Sequence, residues 1–301
     1  MYKYVIILAA TLLSFTSKAQ QTQQAPWQQQ VDYIIDVTLD DDTHELTGDI
    51  AITYTNNSPD VLQEIYIHLW PNAYKNNETA FAQQMLENGE TEFYYAKENE
   101  RGEMSDISFL ANGKTLVAEA TEYIDVIKVV LTEPLTSGEK RTLFTKFTVK
   151  VPKVFSRLGH EGQNYFITQW YPKPAVYDVN GWNPMPYLNQ GEFYAEFGSF
   201  KVAVTLPDNY TLVATGECMT VGELASEKVA IDTVPVSSTS TKTIRFEADN
   251  VHDFAWFASK QWGYVTKEID LGATKVLARV VATEPDKKDL EHIETAIKYY
   301  S

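Results

Sequence analysis

Residues 33–55, YIIDVTLDDDTHELTGDIAITYT, decide how the rest of the chain is read. In the first half Tyr33, Ile35, Val37 and Leu39 occupy alternate positions, with Asp36, Thr38 and Asp40 between them. Successive side chains of an extended backbone point to opposite faces, so a period of two gives a strand with one apolar and one polar face. The second half repeats the pattern, with Leu46, Gly48, Ile50, Ile52 and Tyr54 set against Thr47, Asp49, Ala51, Thr53 and Thr55. Asn56-Asn57-Ser58-Pro59 then supplies turn chemistry. The two runs are expected to pair antiparallel, with one face on a core.

The same alternation extends outward. Residues 61–70 read as a third strand, apolar on both faces, and Leu143, Thr145, Phe147, Val149 and Val151 form one face of a later one. Further strands are expected over 123–131, 165–170, 193–206, 244–248, 254–259 and 275–281, and the polar stretch 237–243 as a hairpin loop. The sum is a mainly β chain built as one large antiparallel domain. A short helix is expected over 79–87, where Phe81, Met85 and Leu86 share a face. A second opens at Pro285, with Glu284 and Asp286 beside the positive end of its dipole. Leu290, Ile293, Ile297 and Tyr300 keep helical spacing up to Ser301, where no Gly or Asn cap follows. That running pattern reads as a truncated chain.

Residues 1–19 read as a secretory signal: Lys3 gives the positive start, 5–15 the apolar core, and Ser17-Lys18-Ala19 the cleavage pattern. The apolar core is well short of the ~20 residues of a membrane-spanning helix, so an exported chain with no membrane span after cleavage is expected, periplasmic or extracellular. The glutamine-rich residues 20–30 form a polar linker. The formal charge of −16 becomes two units more negative once Lys3 and Lys18 leave, a surface that repels phosphate backbones and argues against nucleic acid as a partner. Cys218 is the only cysteine, so no intrachain disulfide forms and stability must come from packing.

Catalytic motifs are tested and fail. His160-Glu161 opens like a zinc-protease HExxH motif, but position 164 is Asn164, and Gly159 and Gly162 favour a loop over the helix that such a motif needs. His44, His68, His252 and His292 are scattered without metal-ligand spacing. Asp178-Val179-Asn180-Gly181 starts like a calcium loop but lacks its later acidic ligands, and reads as a turn. No G-x-S-x-G elbow or phosphate-binding glycine loop is present. Residues 169–187, QWYPKPAVYDVNGWNPMPY, stand out for Trp170, Tyr171, Tyr177, Trp182 and Tyr187 among prolines. Such a stiff aromatic stretch serves either as a binding surface or as a plug for the end of a sheet.

In their content and order, several segments resemble the N-terminal β domain of the aminopeptidase N-like family of zinc metallopeptidases. They are Tyr33-Ile34-Ile35-Asp36-Val37 with Leu46-Thr47-Gly48, His68-Leu69-Trp70-Pro71-Asn72, Thr168-Gln169-Trp170-Tyr171-Pro172, Phe200-Lys201-Val202-Ala203-Val204, Val213-Ala214-Thr215-Gly216 and His252-Asp253-Phe254-Ala255-Trp256. The likeness spans residues 30–270. It implies a saddle-shaped, mainly antiparallel β domain over 31–282, lying across a thermolysin-like catalytic domain whose first helix is 283–301. It also implies a peptide substrate, and a zinc ion bound by residues beyond 301 and by none in this chain.

The resemblance assigns Gln169 to the pocket for the first substrate side chain. It places Tyr171 where relatives carry a Glu or Gln that grips the free amino end. A phenol there means that the charge-assisted contact is weakened or supplied elsewhere. The expected function is the substrate-capping portion of an exported zinc-dependent peptidase, inactive alone. The alternative is a freestanding carbohydrate- or peptide-binding module with Trp170, Tyr171, Trp182 and Tyr187 as stacking platforms.

Overall fold

Alternating apolar residues need a shared core to point into, and the computed structural model, which describes residues 27–223, 230–272 and 274–300, shows how they obtain one. The leader and its cleavage site lie outside the described residues, as does most of the polar linker. Strands β1 (Gln30–Asp40) and β2 (Glu45–Thr55) pair antiparallel in unbroken register from Gln30↔Thr55 to Asp40↔Glu45. Val31, Tyr33, Ile35, Val37 and Leu39 all face inward and are buried, as are Leu46, Ile50, Ile52 and Tyr54 opposite them. Gly48 interrupts the apolar row because the Phe147 ring lies over it. A Cβ there would meet that ring at 2.6 Å.

Ten further strands complete the main framework: β3 (Leu62–His68), β4 (Val126–Leu135), β5 (Lys140–Lys150), β6 (Asn164–Ile167), β7 (Gly198–Pro207), β8 (Thr211–Ala214), β9 (Thr241–Val251), β10 (Trp256–Ser259), β11 (Gly263–Asp270) and β12 (Lys275–Ala282). The large sheet runs β9-β7-β1-β2-β5, extended at its edges by strands of two or three residues. A second sheet joins Lys173–Pro174, β3, β4 and Val117–Ala120, and a third joins Gly159–Glu161, β6, β10 and β8. The inward residues of all three sheets merge into one hydrophobic core. Between β3 and β4, α1 (Ala80–Glu87) starts at Thr79, whose Oγ1 accepts from the Ala82 amide at 3.1 Å, and buries Phe81 and Met85 while Leu86 stays half-buried.

The mainly antiparallel expectation holds with one correction. Strands β1 and β7 run parallel, in register from Tyr33↔Phe200 to Thr38↔Thr205. They approach so closely where β7 begins that a Cβ on Gly198 would sit 1.7 Å from the Val31 carbonyl oxygen. The strand expected over 193–206 therefore starts only at Gly198. Before it, Phe193 is turned inward to pack on Trp70 and Tyr187, with ring centroids 4.6 and 5.2 Å away. The strand expected over 61–70 stops at His68, since Pro71 favours the tight helical turn Trp70–Tyr74 that follows.

Within the polar stretch 237–243 only 237–240 is loop, since Thr241 already opens β9, and Ser237 joins a buried polar cross-link centred on Asp41 in the β1–β2 turn. The Asp41 carboxylate accepts from the hydroxyls of Ser237 and Tyr210 and from Gln163 Nε2, and the fully buried Lys260 ammonium lies 3.6 Å away. Lys260 Nζ also donates to Ser237 Oγ and Gln163 Oε1. Gathered on the one oxygen Oδ2 of Asp41, these contacts fasten the hairpin turn to the third sheet.

Strands β11 and β12 form a separate hairpin. With α2 (Lys287–Tyr300) it builds a smaller core of Ile269, Ala278 and Leu290, flanked by Val265, Ile293 and Ile297. Tyr300, expected on that face, is 85% exposed because it lies at the last turn, beyond the hairpin.

Gly198→Ala is expected to lower stability by at least ~2 kcal/mol, read from the urea midpoint, while the exposed Val179→Ala changes it by no more than ~0.5 kcal/mol. Equal midpoints would show that β1 and β7 are not in close contact.

Candidate functional site

Residues Thr168 to Lys173 carry the chain from β6 in the third sheet to the edge of the second, where Lys173 pairs with His68 and Pro174 with Ile67. The crossing is tight. Gln169 takes a left-handed backbone conformation with φ +48°, a region that residues with a Cβ seldom occupy. Trp170 is inserted into the core, ring against Phe147, Tyr171 and Trp256, with Nε1 donating to the Phe254 carbonyl at 3.0 Å. Gln169, Tyr171 and Lys173 alternate with Trp170 and Pro172, and all three converge on one carboxylate.

That carboxylate belongs to Asp253, in the loop between β9 and β10. Gln169 Nε2 donates to its Oδ2 at 2.8 Å, and the Tyr171 hydroxyl to its Oδ1 at 2.8 Å. The Phe254 amide donates to the same Oδ1 at 2.8 Å, and Lys173 Nζ stands 3.2 Å from it. Lys173 is almost wholly buried, whereas the Asp253 side chain keeps 19% of its surface exposed. The ammonium also lies 5.7 Å from the centroids of the Trp70 and Tyr171 rings. Burial works against ionising Asp253, but the Lys173 charge, the Tyr171 hydroxyl and the Phe254 amide outweigh it and hold the carboxyl below its ordinary range. Burial, with Asp253 adding to it, pushes the Tyr171 phenol well up, so it remains a proton donor.

His68 closes one side. It is fully buried, stacks on Trp70 at 4.4 Å and 14°, and is pushed down to about 3, by burial first and by the Lys173 charge second. Several buried polar atoms around this crossing have no hydrogen-bond partner: Gln169 Oε1, Thr168 Oγ1, Trp256 Nε1, both ring nitrogens of His68, and Lys173 Nζ, whose 3.2 Å approach to Asp253 is an ion pair without hydrogen-bond geometry. These open atoms lie beside the strained backbone of Gln169, where Gln169, Asp253 and Lys173 are held in fixed orientation.

The two residues singled out from sequence are thus brought together, through Asp253, which lies in another of the resembling segments. Asp253 and Lys173 were missed as site residues. The available signal was the i, i+2, i+4 spacing of polar Gln169, Tyr171 and Lys173 in an otherwise aromatic and proline-rich run. Burial disfavours the stacking-platform reading. Trp170, Tyr171 and Tyr187 are at most 2% exposed, and the Tyr187 hydroxyl is tied to Tyr74 and Ser156. Trp182 is half-buried, edge-on to Tyr177, so the aromatic stretch is chiefly core. Asp178 to Gly181 forms the expected turn, with Asp178 Oδ1 accepting from the Asn180 amide.

The described residues do not fit a zinc ion. His160 stacks on His44 at 3.7 Å and 16°, so the in-plane lone pairs of the two rings run side by side rather than meeting. His68 is sealed against a cation, and no group of three or more His, Cys, Asp or Glu side chains is placed to hold a metal among the described residues. No helix among them is long and apolar enough to cross a membrane.

No protein-family model and no curated protein matches the sequence. Solved structures do share the fold. A point mutant of an M1 zinc metallopeptidase from Deinococcus radiodurans aligns with a TM-score of 0.50 and 15% identity, over 89% of this chain and 52% of that one. An M1 zinc metallopeptidase mutant from the same organism, bound to a Tyr-Ser-Ala substrate, gives 0.49 and 16%, over 84% and 47%. A two-domain M1 zinc metallopeptidase mutant bound to L-tryptophan gives 0.49 and 15%, over 90% and 53%. This chain spans about half the length of these structures, and at such identity the likeness is one of fold.

Two outcomes follow from the site's electrostatics. Asp253→Asn leaves Lys173 buried without a counter-charge and should cost ~3–5 kcal/mol. Lys173→Met should cost less, because Asp253 keeps three donors and some solvent; a larger loss for Lys173→Met in urea melts would refute this. His68 is neutral in the fold and titrates near 6.5 in the unfolded chain, so its contribution is complete above pH 6.5 and declines as pH falls toward about 3. The stability gap between wild type and His68→Gln should therefore shift against wild type by about 2 kcal/mol between pH 7 and pH 5. A gap independent of pH would mean that His68 is protonated in the fold.

Proposed function

We propose that this chain is the N-terminal, substrate-side β portion of an exported zinc-dependent metallopeptidase that hydrolyses peptides. The observation that carries the reading is the meeting of Gln169 and Tyr171 on Asp253, in a fold shared with an M1 zinc metallopeptidase. The order of the sequence segments that resemble the aminopeptidase N-like family supports it independently. In this reading a thermolysin-like catalytic domain lies beyond residue 301, supplies the zinc ligands, and closes over the Gln169 side of the β portion. Export rests on the leader pattern of residues 1–19.

The part played by these residues is positioning. Gln169 and Asp253 form a partly exposed rim, while Lys173, Trp70 and His68 form a floor beneath it. A peptide held there would be fixed by hydrogen bonds rather than by a deep apolar pocket, and holding it is what such a wall contributes to hydrolysis.

The full-length protein should hydrolyse short peptides, lose that activity to a zinc chelator and regain it on adding zinc. Gln169→Ala should raise KM several-fold with a smaller change in kcat, since it removes a contact made by the bound substrate. Hydrolysis insensitive to the chelator, or none on a broad peptide mixture, would overturn the reading.

A further inference from the structure

The groups around Asp253 are unequally satisfied, and the imbalance specifies a ligand. Gln169 Nε2 is committed to Asp253, which fixes the orientation of the amide: turned over, Oε1 would face a carboxylate. Oε1 is therefore a fixed acceptor, buried and without a partner, on a residue whose backbone is already strained at φ +48°. An unanswered buried acceptor is costly, and a donor that arrives with a ligand removes the cost.

The charge nearby decides which donor. A lone buried carboxylate would favour an ammonium group. Here Lys173 lies 3.2 Å from Asp253 and cancels it, while Tyr171 and Phe254 occupy the same oxygen. Asp253 and Lys173 together present a near-neutral pair, so an arriving cation meets little net field. A neutral N–H donor takes the Gln169 bond without that conflict.

We propose that Gln169 reads a backbone amide N–H within a bound peptide rather than a free terminal ammonium, and that Lys173 sets this preference by neutralising Asp253. The proposal rests on the peptidase reading above. It assigns Lys173 a role in selecting the substrate although it lies beneath the rim, as a positioning residue that acts through Asp253.

The test uses the full-length protein and two fluorogenic peptides that differ only in acetylation of the amino end. Wild type should cleave both with kcat/KM values within about threefold of each other. Lys173→Met and Lys173→Gln should each shift the ratio at least ~10-fold toward the free amine, the size expected when a partly buried charge is left uncompensated. Gln169→Ala should lower kcat/KM for both peptides about 10-fold, equivalent to one hydrogen bond. Equilibrium dialysis with uncleavable versions of the two peptides should give the same ratios without turnover.

A wild-type preference of more than ~30-fold for the free amine, well beyond one hydrogen bond, overturns this inference and leaves the peptidase reading standing. Gln169→Ala without effect on either peptide also overturns it, since a buried water would then be the only partner of Oε1. Failure to cleave or bind either peptide removes the peptidase reading, and this inference with it. Circular dichroism melts on each variant separate lost recognition from lost folding.

Discussion

A sheet with one apolar face has to be covered, and in this chain no disulfide is available to help. That constraint organises the molecule. The inward rows of β1 and β2 are covered by the second and third sheets, whose own inward residues fill the same core. The segments that pass between sheets then carry the large aromatic rings. Trp70, Trp170, Trp256 and Tyr187 are all fully buried because each stands where one sheet gives way to another or where a loop closes over the core. Aromatic side chains suit such seams, since one ring removes a large apolar area and its polar atom can still reach a backbone carbonyl, as Trp170 does.

The candidate site is a product of the same seams. Crossing from β6 to the edge of the second sheet in six residues forces the turn at Gln169, and the turn sets Gln169, Tyr171 and Lys173 on one side. The β9–β10 loop brings Asp253 to meet them. An ion pair this well buried contributes little net stability, so its arrangement is better explained by the geometry it fixes than by the energy it supplies.

The parts of the fold legible in sequence were those set by near neighbours. Alternation placed β1, β2 and β5, and the shared face of Phe81 and Met85 placed α1, because strand and helix faces are decided within a few residues. Strand β11 escaped notice, since adjacent Lys267 and Glu268 break its apolar rhythm. The parallel pairing of β1 with β7 was not visible, because nothing local records which distant strand will lie alongside. The site divides in the same way. Gln169 and Tyr171 could be singled out within one segment, whereas their common partner lies 84 and 82 residues further on. Burial of Trp170 and Tyr187 was equally hidden: composition alone does not distinguish a ring that plugs a core from one that faces solvent.

The parallel seam between β1 and β7 has a consequence for the order of assembly. Asp32 and Ser199, which are hydrogen-bonded across it, are 167 residues apart. A chain emerging from its amino end can pair β1 with β2 at once and β2 with β5 soon after, but the far edge of β1 stays open until β7 exists. Until β7 is made, that edge presents unpaired amides and carbonyls above an apolar face, the arrangement most prone to recruit a foreign strand. In this connectivity the edge of β1 is closed only when Gly198 slips in beside Val31, late in the order of the chain.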